Sequence, residues 1–548
     1  MEGLLVVGEF QRGRYRKGTK FFVIHMYDYI IVGAGSAGCV IANRLSENSS
    51  NRVLLLEAGS KDLNPMIHLP IMCGALFPLN INNWYYHSEP DPNLENRRIF
   101  IPRGKTLGGS SSINGMVYIR GHKRDYDIWR QLGCTGWSYD DVLPYFKKLE
   151  NHIERDDKFH GKNGPLKVTR SHTKNELFDA FVNAGNSAGF PLTDDFNGSQ
   201  QEGFGRYDFS IFNGRRQSAA VAYLNPIKKR KNLDILTNAH VKRIVFKGNK
   251  ASGIEYEKVG ESIIVNANKE IIISAGAINS PAILQYSGIG DSSHLKNLGI
   301  NLIKNLPGVG QNLQDHVAVY VQHLCKKPIT IRSMFKPHVA PFALLRAILF
   351  KSGPAAAFPL EGGAFVKTNK DLEMPDIQFH FLPGLGPNMG GMSKHGFFSN
   401  ICCLRPDSRG SVKILSSNSK VSPSIFTNFL SEETDINCIR SGVKILRNIF
   451  SQAAFDHLRG EEQTPGPDIK SDDELNKWIK ETAETIYHPV GTCKMGNDEY
   501  SVVDPELKVF GIENLRVADA SIMPTLVGGN TNAPSIMIGE KVSDLILN

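Results

Sequence analysis

The chain has 548 residues, 41% of them hydrophobic and 22% charged, and carries a formal net charge of +8. That length exceeds one ordinary core and implies two domains or one large two-part body. No apolar run is long enough to span a bilayer. The basic residues are dispersed, and their tightest cluster, Lys228 to Lys231, reads as a solvated helix end before a strand rather than an anionic-surface or nucleic-acid site.

Residues 1–25 contain Arg12, Arg14, Arg16, Lys17 and Lys20 with no signal-peptide core behind them. They are expected to be a non-native or disordered leader, with Met26 as the natural start. Tyr29 to Val32 then reads as a short buried parallel strand. Gly33, Gly35 and Gly38 follow with the G-x-G-x-x-G spacing, and a helix is expected over Gly38–Ser46. Gly33 permits the tight turn, Gly35 the approach of a pyrophosphate, and Gly38 close helix–strand packing. The helix start offers free N–H groups and a positive dipole end to phosphate. A second strand, Val53 to Leu56, closes on Glu57, where this pattern places an acid for a ribose hydroxyl. The expected site is one for a dinucleotide.

Residues 65–102 are rich in Pro and Asn and read as a long excursion over that cofactor. The stretch Arg103 to Met116 holds Gly104, Gly108, Gly109 and three serines, suited to offer N–H groups and hydroxyls to a pyrophosphate or a flavin ring. Helices are expected over 129–150, 176–188 and from Gly214 to Leu224. Strands are expected at 233–236, 241–246, 253–256 and 263–265, with a separate buried strand at 270–273 returning to the first sheet. Phe342 to Phe350, with Arg346 and Lys351, reads either as a lid or core helix or as a segment on a membrane surface. Asp376 to Phe381 and Ser411 to Leu415 alternate like antiparallel strands, and Ala533 to Leu547 closes the chain as a helix.

Eight cysteines are scattered without a C-x-x-C spacing. They read as reduced thiols in a cytoplasmic protein, with peripheral contact to the cytoplasmic face of the inner membrane left open. Sixteen histidines show no H-x-x-x-H or H-E-x-x-H arrangement, so no metal site is expected.

Several motifs in order resemble the glucose–methanol–choline flavoprotein oxidoreductases. They are Tyr29 to Gly38, Gly104 to Met116, Ser274 to Pro281, Leu306 to His316, His488 to Gly496, Val517 to Pro524 and Gly528 to Pro534. The resemblance implies an α/β fold: a discontinuous Rossmann-like FAD-binding domain with an α+β substrate-binding domain on a mixed or antiparallel sheet. The expected division is 26–320 mainly FAD-binding, 321–485 mainly substrate-binding and 486–548 returning to the FAD-binding part. The FAD set it implies is Gly33, Gly35, Ser36, Ala37, Gly38, Glu57, Ala58, Gly108, Gly109, Ser110, Asn114, Gly115, Met116, Val117, Val241, Asp519, Ala520, Asn530 and Thr531. Asn532 is expected to support the turn or the flavin. Isoleucine at 113, where some relatives carry a flavin-linked histidine, implies non-covalent FAD.

By motif match His488 is the base and Asn530 the second catalytic residue, an amide that donates to the alkoxide oxygen while staying neutral. Glu361 matches an acid that faces the cationic head group in choline-specific relatives, and it also reads as a hydrogen-bonded structural acid. His316 reads as a turn-stabilising residue rather than a second base. The implied reaction is oxidation of a primary alcohol to the aldehyde, with electrons passed to a quinone or another acceptor. Choline dehydrogenase is the alternative, ahead of an oxygen-using oxidase or a decarboxylase-like lyase.

Overall fold

The computed structural model describes residues 26–386 and 393–548; the expectation for the leader therefore falls outside the described residues. Two seven-stranded sheets organise the described chain. In the first, Leu233–Leu236, Val53–Leu56, Met26–Val32 and Glu261–Ile273 lie side by side in parallel, and Leu515–Val517 adds in parallel to the last of these. Val53–Leu56 is buried along its whole length, and so are the last four residues of Met26–Val32, as a parallel strand covered on both faces requires.

Glu261–Ile273 corrects the expectation of two separate strands. It is one strand of 13 residues. Its first half pairs antiparallel with Lys250–Lys258, which pairs with His240–Lys247, and its second half runs parallel to Met26–Val32. One strand thus joins an antiparallel meander to the parallel sheet.

The second sheet is ordered Arg459–Thr464, Val317–Cys325, Gly396–Cys403, Ile377–Leu382, Gly362–Val366, Gly203–Arg206, with Glu484–Thr485 pairing Val317–Cys325. Every pairing in it is antiparallel. Val317–Cys325 runs across position 320, so the expected change of unit there falls inside a strand. The helix Glu433–Ser451 packs on this sheet through Ile436, Ile439, Val443 and Leu446.

Three local expectations change. The helix expected over 129–150 is two helices, Lys123–Gln131 and Tyr139–Leu149. Gly133 and Gly136 between them take φ of 93° and 83°, which a continuing helix excludes. The helix expected from Gly214 is a short hairpin, Ile211–Phe212 with Arg215–Arg216, followed by a π-helical turn Ala220–Leu224. Its cause is tertiary: the buried Arg216 guanidinium donates to the carbonyls of Ile67, Ser111 and Asn114, which holds the chain extended. The segment at 342–350 is a helix, Ala340–Phe350, but it turns Ala343 and Ala347 inward and its large apolar side chains outward, so it is not a core helix.

The opening helix is Ser36–Leu45. It lies against the strand Met26–Val32 so closely that a Cβ on Gly38 would sit 1.9 Å from the Gly33 carbonyl oxygen. Gly38→Ala is therefore expected to destabilise the fold by about 1–3 kcal/mol as an overpacking substitution. A denaturant melt measures this, and an unchanged midpoint would refute the close packing.

Candidate active site

The carboxyl ends of the parallel strands border a cavity of about 720 Å³. At one end Gly33 turns the chain with φ of 100°, and a Cβ there would lie 2.5 Å from the Ser274 carbonyl oxygen. Gly35 differs. Its nearest neighbour to an added Cβ is Ser274 O at 3.9 Å, so a side chain would project into the cavity without striking the protein. A Cβ on Gly109 would come within 2.7 Å of Gly35 Cα, which seats the serine-rich loop on the glycine turn.

Glu57 is buried, and its carboxylate accepts from the N–H groups of Ala34 at 3.0 Å and Gly59 at 2.8 Å. Burial pushes its pKa up to about 7. Glu57 thus ties the turn to the second strand as well as lining the cavity. Asp519 does the same at the far strand, accepting from the Gly276 N–H, the Ser280 hydroxyl and the Ser521 N–H. Ser36 donates its hydroxyl to Asn532 Oδ1 at 2.8 Å, joining the starts of the opening and closing helices. Of the expected cofactor residues all line the cavity except Gly38, which is consumed in packing, and Gly108, whose space is filled by Ser112.

At the other end stands His488. Two hydrogen bonds and one left-handed residue fix its backbone. Its N–H donates to Asp315 Oδ1 at 2.7 Å, Tyr487 before it takes φ of 74°, and Arg103 donates to the Tyr487 carbonyl at 2.6 Å. Burial pushes Asp315 up to about 6 and lowers Arg103 to about 10.

The ring of His488 corrects the reading of His316 as a turn residue. The two Nδ1 atoms lie 2.9 Å apart, and His316 Nε2 lies 3.2 Å from the Leu404 carbonyl. Partners assign the tautomers. His316 Nε2–H donates to Leu404, because the reverse would set two lone pairs against each other. His316 Nδ1 then accepts from His488 Nδ1–H. That leaves the lone pair of His488 on Nε2, 3.2 Å from Asn530 Nδ2. Gln378 donates to Asn530 Oδ1 at 3.3 Å, which turns the amide N–H groups toward His488. Burial, then the neighbouring His316, His380 and Arg103, hold His488 well below the ordinary imidazole range. Burial likewise lowers His316 to about 3 and His380 to about 4. The pair is neutral, and the Nε2 lone pair accepts from a neutral amide donor.

His380, Asn400 and the rings of Phe77, Tyr320, Phe358 and Phe398 also line the cavity. They come from five separate stretches of chain. Glu361 is not among the lining residues. It is buried, 3.8 Å from Arg206 Nη1, and pushed up to about 7 by burial. Its side chain does not face the cavity beside His488.

Models of the GMC oxidoreductase family match residues 27–318 and 406–539. The chain belongs to the GMC oxidoreductases. Oxygen-dependent choline dehydrogenases from Sinorhizobium fredii and Brucella suis are 47% and 48% identical to it, each over 95% of both chains. Among solved structures, a pyridoxine 4-oxidase from Mesorbium loti is 31% identical with a TM-score of 0.85, covering 94% of this chain and 98% of that one. A formate oxidase variant from Aspergillus oryzae RIB40 is 26% identical with a TM-score of 0.89, covering 95% and 98%.

Membership makes this an FAD-dependent oxidoreductase acting on CH–OH donors. The cavity fits that cofactor: an uncapped helix start and an open Gly35 for the pyrophosphate, with Glu57, Ala58, Val241, Asn114, Gly115 and Met116 also in its wall. All eight cysteines are free, no His, Cys, Asp or Glu group among the described residues could hold a metal ion, and no described helix is long and apolar enough to cross a membrane.

Gly35→Val is expected to fold normally yet lose flavin, because its side chain enters the cavity and not the protein. Far-ultraviolet circular dichroism and bound-flavin absorbance separate the two; full flavin content would refute the placement. For pH, the lowered pKa of His488 means that its base form persists on acidification. Flavin bleaching by alcohol should stay level from about pH 8 down to about pH 6.5, where an ordinary imidazole is half protonated. An acid limb centred above neutrality would contradict the assignment.

Proposed function

We propose that the chain oxidises a primary alcohol to the aldehyde, with His488 Nε2 taking the hydroxyl proton and Asn530 Nδ2–H holding the oxygen. FAD, bound non-covalently since Ile113 offers no linking atom, supplies the hydride acceptor. The observation that carries the reading is the 2.9 Å bond between His316 and His488, which leaves the Nε2 lone pair beside a neutral amide donor. A hydroxyl that displaces this contact donates to Nε2 and accepts from the amide N–H. His316 acts as a positioning residue. Electrons then leave to a quinone or another carrier, at a peripheral membrane contact.

A neutral alcohol suits the wall near His488, which carries Phe77, Tyr320, Phe358, Leu382 and Phe398 but no carboxylate. Choline is the second reading. Two observations favour it: the relatives named choline dehydrogenases, and aromatic faces that can meet a quaternary ammonium.

His488→Ala should retain flavin and lose roughly 10²–10⁴ in the rate of flavin bleaching. Asn530→Ala should lose less, on the order of 10²-fold. Wild-type rates in both would refute the roles. For substrate, each added alkanol methylene is worth about 0.8 kcal/mol, or about fourfold in kcat/KM, until the pocket fills. A panel of alkanols, benzyl alcohol and choline with a soluble acceptor measures this. A higher kcat/KM for choline than for every alkanol would decide for the second reading.

A further inference from the structure

The helix Ala340–Phe350 is built inside out. Its spacing of apolar residues suits burial, yet only Ala343 and Ala347 are buried. Phe342 is 71% exposed, Leu349 61% and Phe350 74%, with Leu345 and Ile348 about half exposed beside them. Phe335, just before the helix, is exposed as well. An ordinary surface helix turns its large apolar side chains inward and its polar ones outward. Here Ala343, Ala347 and part of Leu344 face the protein, and the other large apolar side chains face out.

The charge along the chain beside the helix is one-sided, although Lys327 is paired with Glu176. Lys326, Lys327, Arg332, Lys336, Arg346 and Lys351 fall between Lys326 and Leu360, and no Asp or Glu does. Lys336, Arg346 and Lys351 are exposed. Phenylalanine and leucine flanked by basic residues is the combination that seats a helix in the headgroup layer of a negatively charged bilayer.

We propose that the outward face of Ala340–Phe350 docks on an anionic phospholipid bilayer. The position of the helix gives the contact a use. Its inner side packs with Ile71 and with Ala355 and Ala356. A few residues along each of those segments, Cys73, Phe77 and Phe358 line the cavity. Docking therefore brings an apolar wall of the cavity next to the bilayer, where long-chain alcohols and lipid-soluble acceptors concentrate. That use rests on the proposed alcohol oxidation; the docking itself does not.

The test is flotation of the flavin-loaded enzyme with phosphatidylglycerol–phosphatidylcholine vesicles and with phosphatidylcholine vesicles alone. The enzyme should float with the anionic vesicles, and high salt should weaken this. Phe342→Ser/Leu349→Ser should reduce the bound fraction at least about tenfold, and Lys336→Glu/Arg346→Glu should remove the preference for anionic lipid. Both variants should keep wild-type flavin absorbance, circular dichroism and activity toward a water-soluble alcohol. Wild-type enzyme that stays at the bottom of the gradient, or variants that float as well as wild type, would overturn the proposal. Light scattering that shows a dimer dispersed by Phe342→Ser/Leu349→Ser, without vesicle binding, would overturn it in favour of a second copy of the chain. Loss of vesicle binding with alcohol oxidation intact, or the reverse, keeps the docking and the catalytic reading separable.

Discussion

Everything at this site depends on three strands distant in sequence ending together. The Ser274 N–H donates to the Val32 carbonyl at 2.7 Å, and the Ala518 N–H donates to the Ile273 carbonyl at 2.8 Å. The Ser274 hydroxyl then donates to the Ala518 carbonyl at 2.7 Å. These bonds close the carboxyl ends of Met26–Val32, Glu261–Ile273 and Leu515–Val517 into one rim. The glycine turn, the helix starting at Gly276 and the turn at Asp519 all leave from it. Brought this close, the backbones tolerate no Cβ at Gly33 or Gly38, and the space left over at Gly35 opens into the cavity. Ligands of open α/β sheets bind outside the carboxyl ends of the strands for this reason: helix starts and loop N–H groups converge there.

The rim also sets the electrostatics. Glu57 and Asp519 are the acids of the cofactor end, and both are occupied by backbone N–H donors. The His488 end has no acid of its own in the cavity wall. Its imidazoles, His316, His380 and His488, are kept neutral chiefly by burial. A base that is neutral at rest can take a proton without first losing one, and a neutral amide partner does not repel the cation that forms. The second sheet contributes to this from the other side. Gln378 on one strand donates to Asn530, and Asn400 on the next bonds His380, so the second sheet supplies side chains to the His488 end.

How much of this was legible beforehand follows the range of the interactions. The turn Gly33 to Gly38 was readable because its constraints act between residues a few positions apart and only glycine satisfies them. His488 and Asn530 were readable by motif match, and the structure brings them to 3.2 Å. Breaks such as Gly133 and Gly136 were visible as residues, but a helical pattern on both sides masked them. The hairpin at Arg216 was not visible at all, because the carbonyls that hold it belong to Ile67, Ser111 and Asn114.

The sequence by itself determined the dinucleotide turn, the buried strands, the family and the two residues proposed to carry the chemistry. Only the tertiary structure decided which way side chains point. His316 meets His488 across 172 positions, a pairing that no local pattern encodes. Glu361 could face a substrate or an arginine, and Arg206 on the neighbouring strand lies 3.8 Å from it. The helix Ala340–Phe350 could lie inward or outward with the same periodicity; small alanines fit against Ile71 and Ala356, and the phenylalanines were left outside. Local sterics fix backbone shape within a few residues, whereas orientation is fixed by whatever the fold brings alongside.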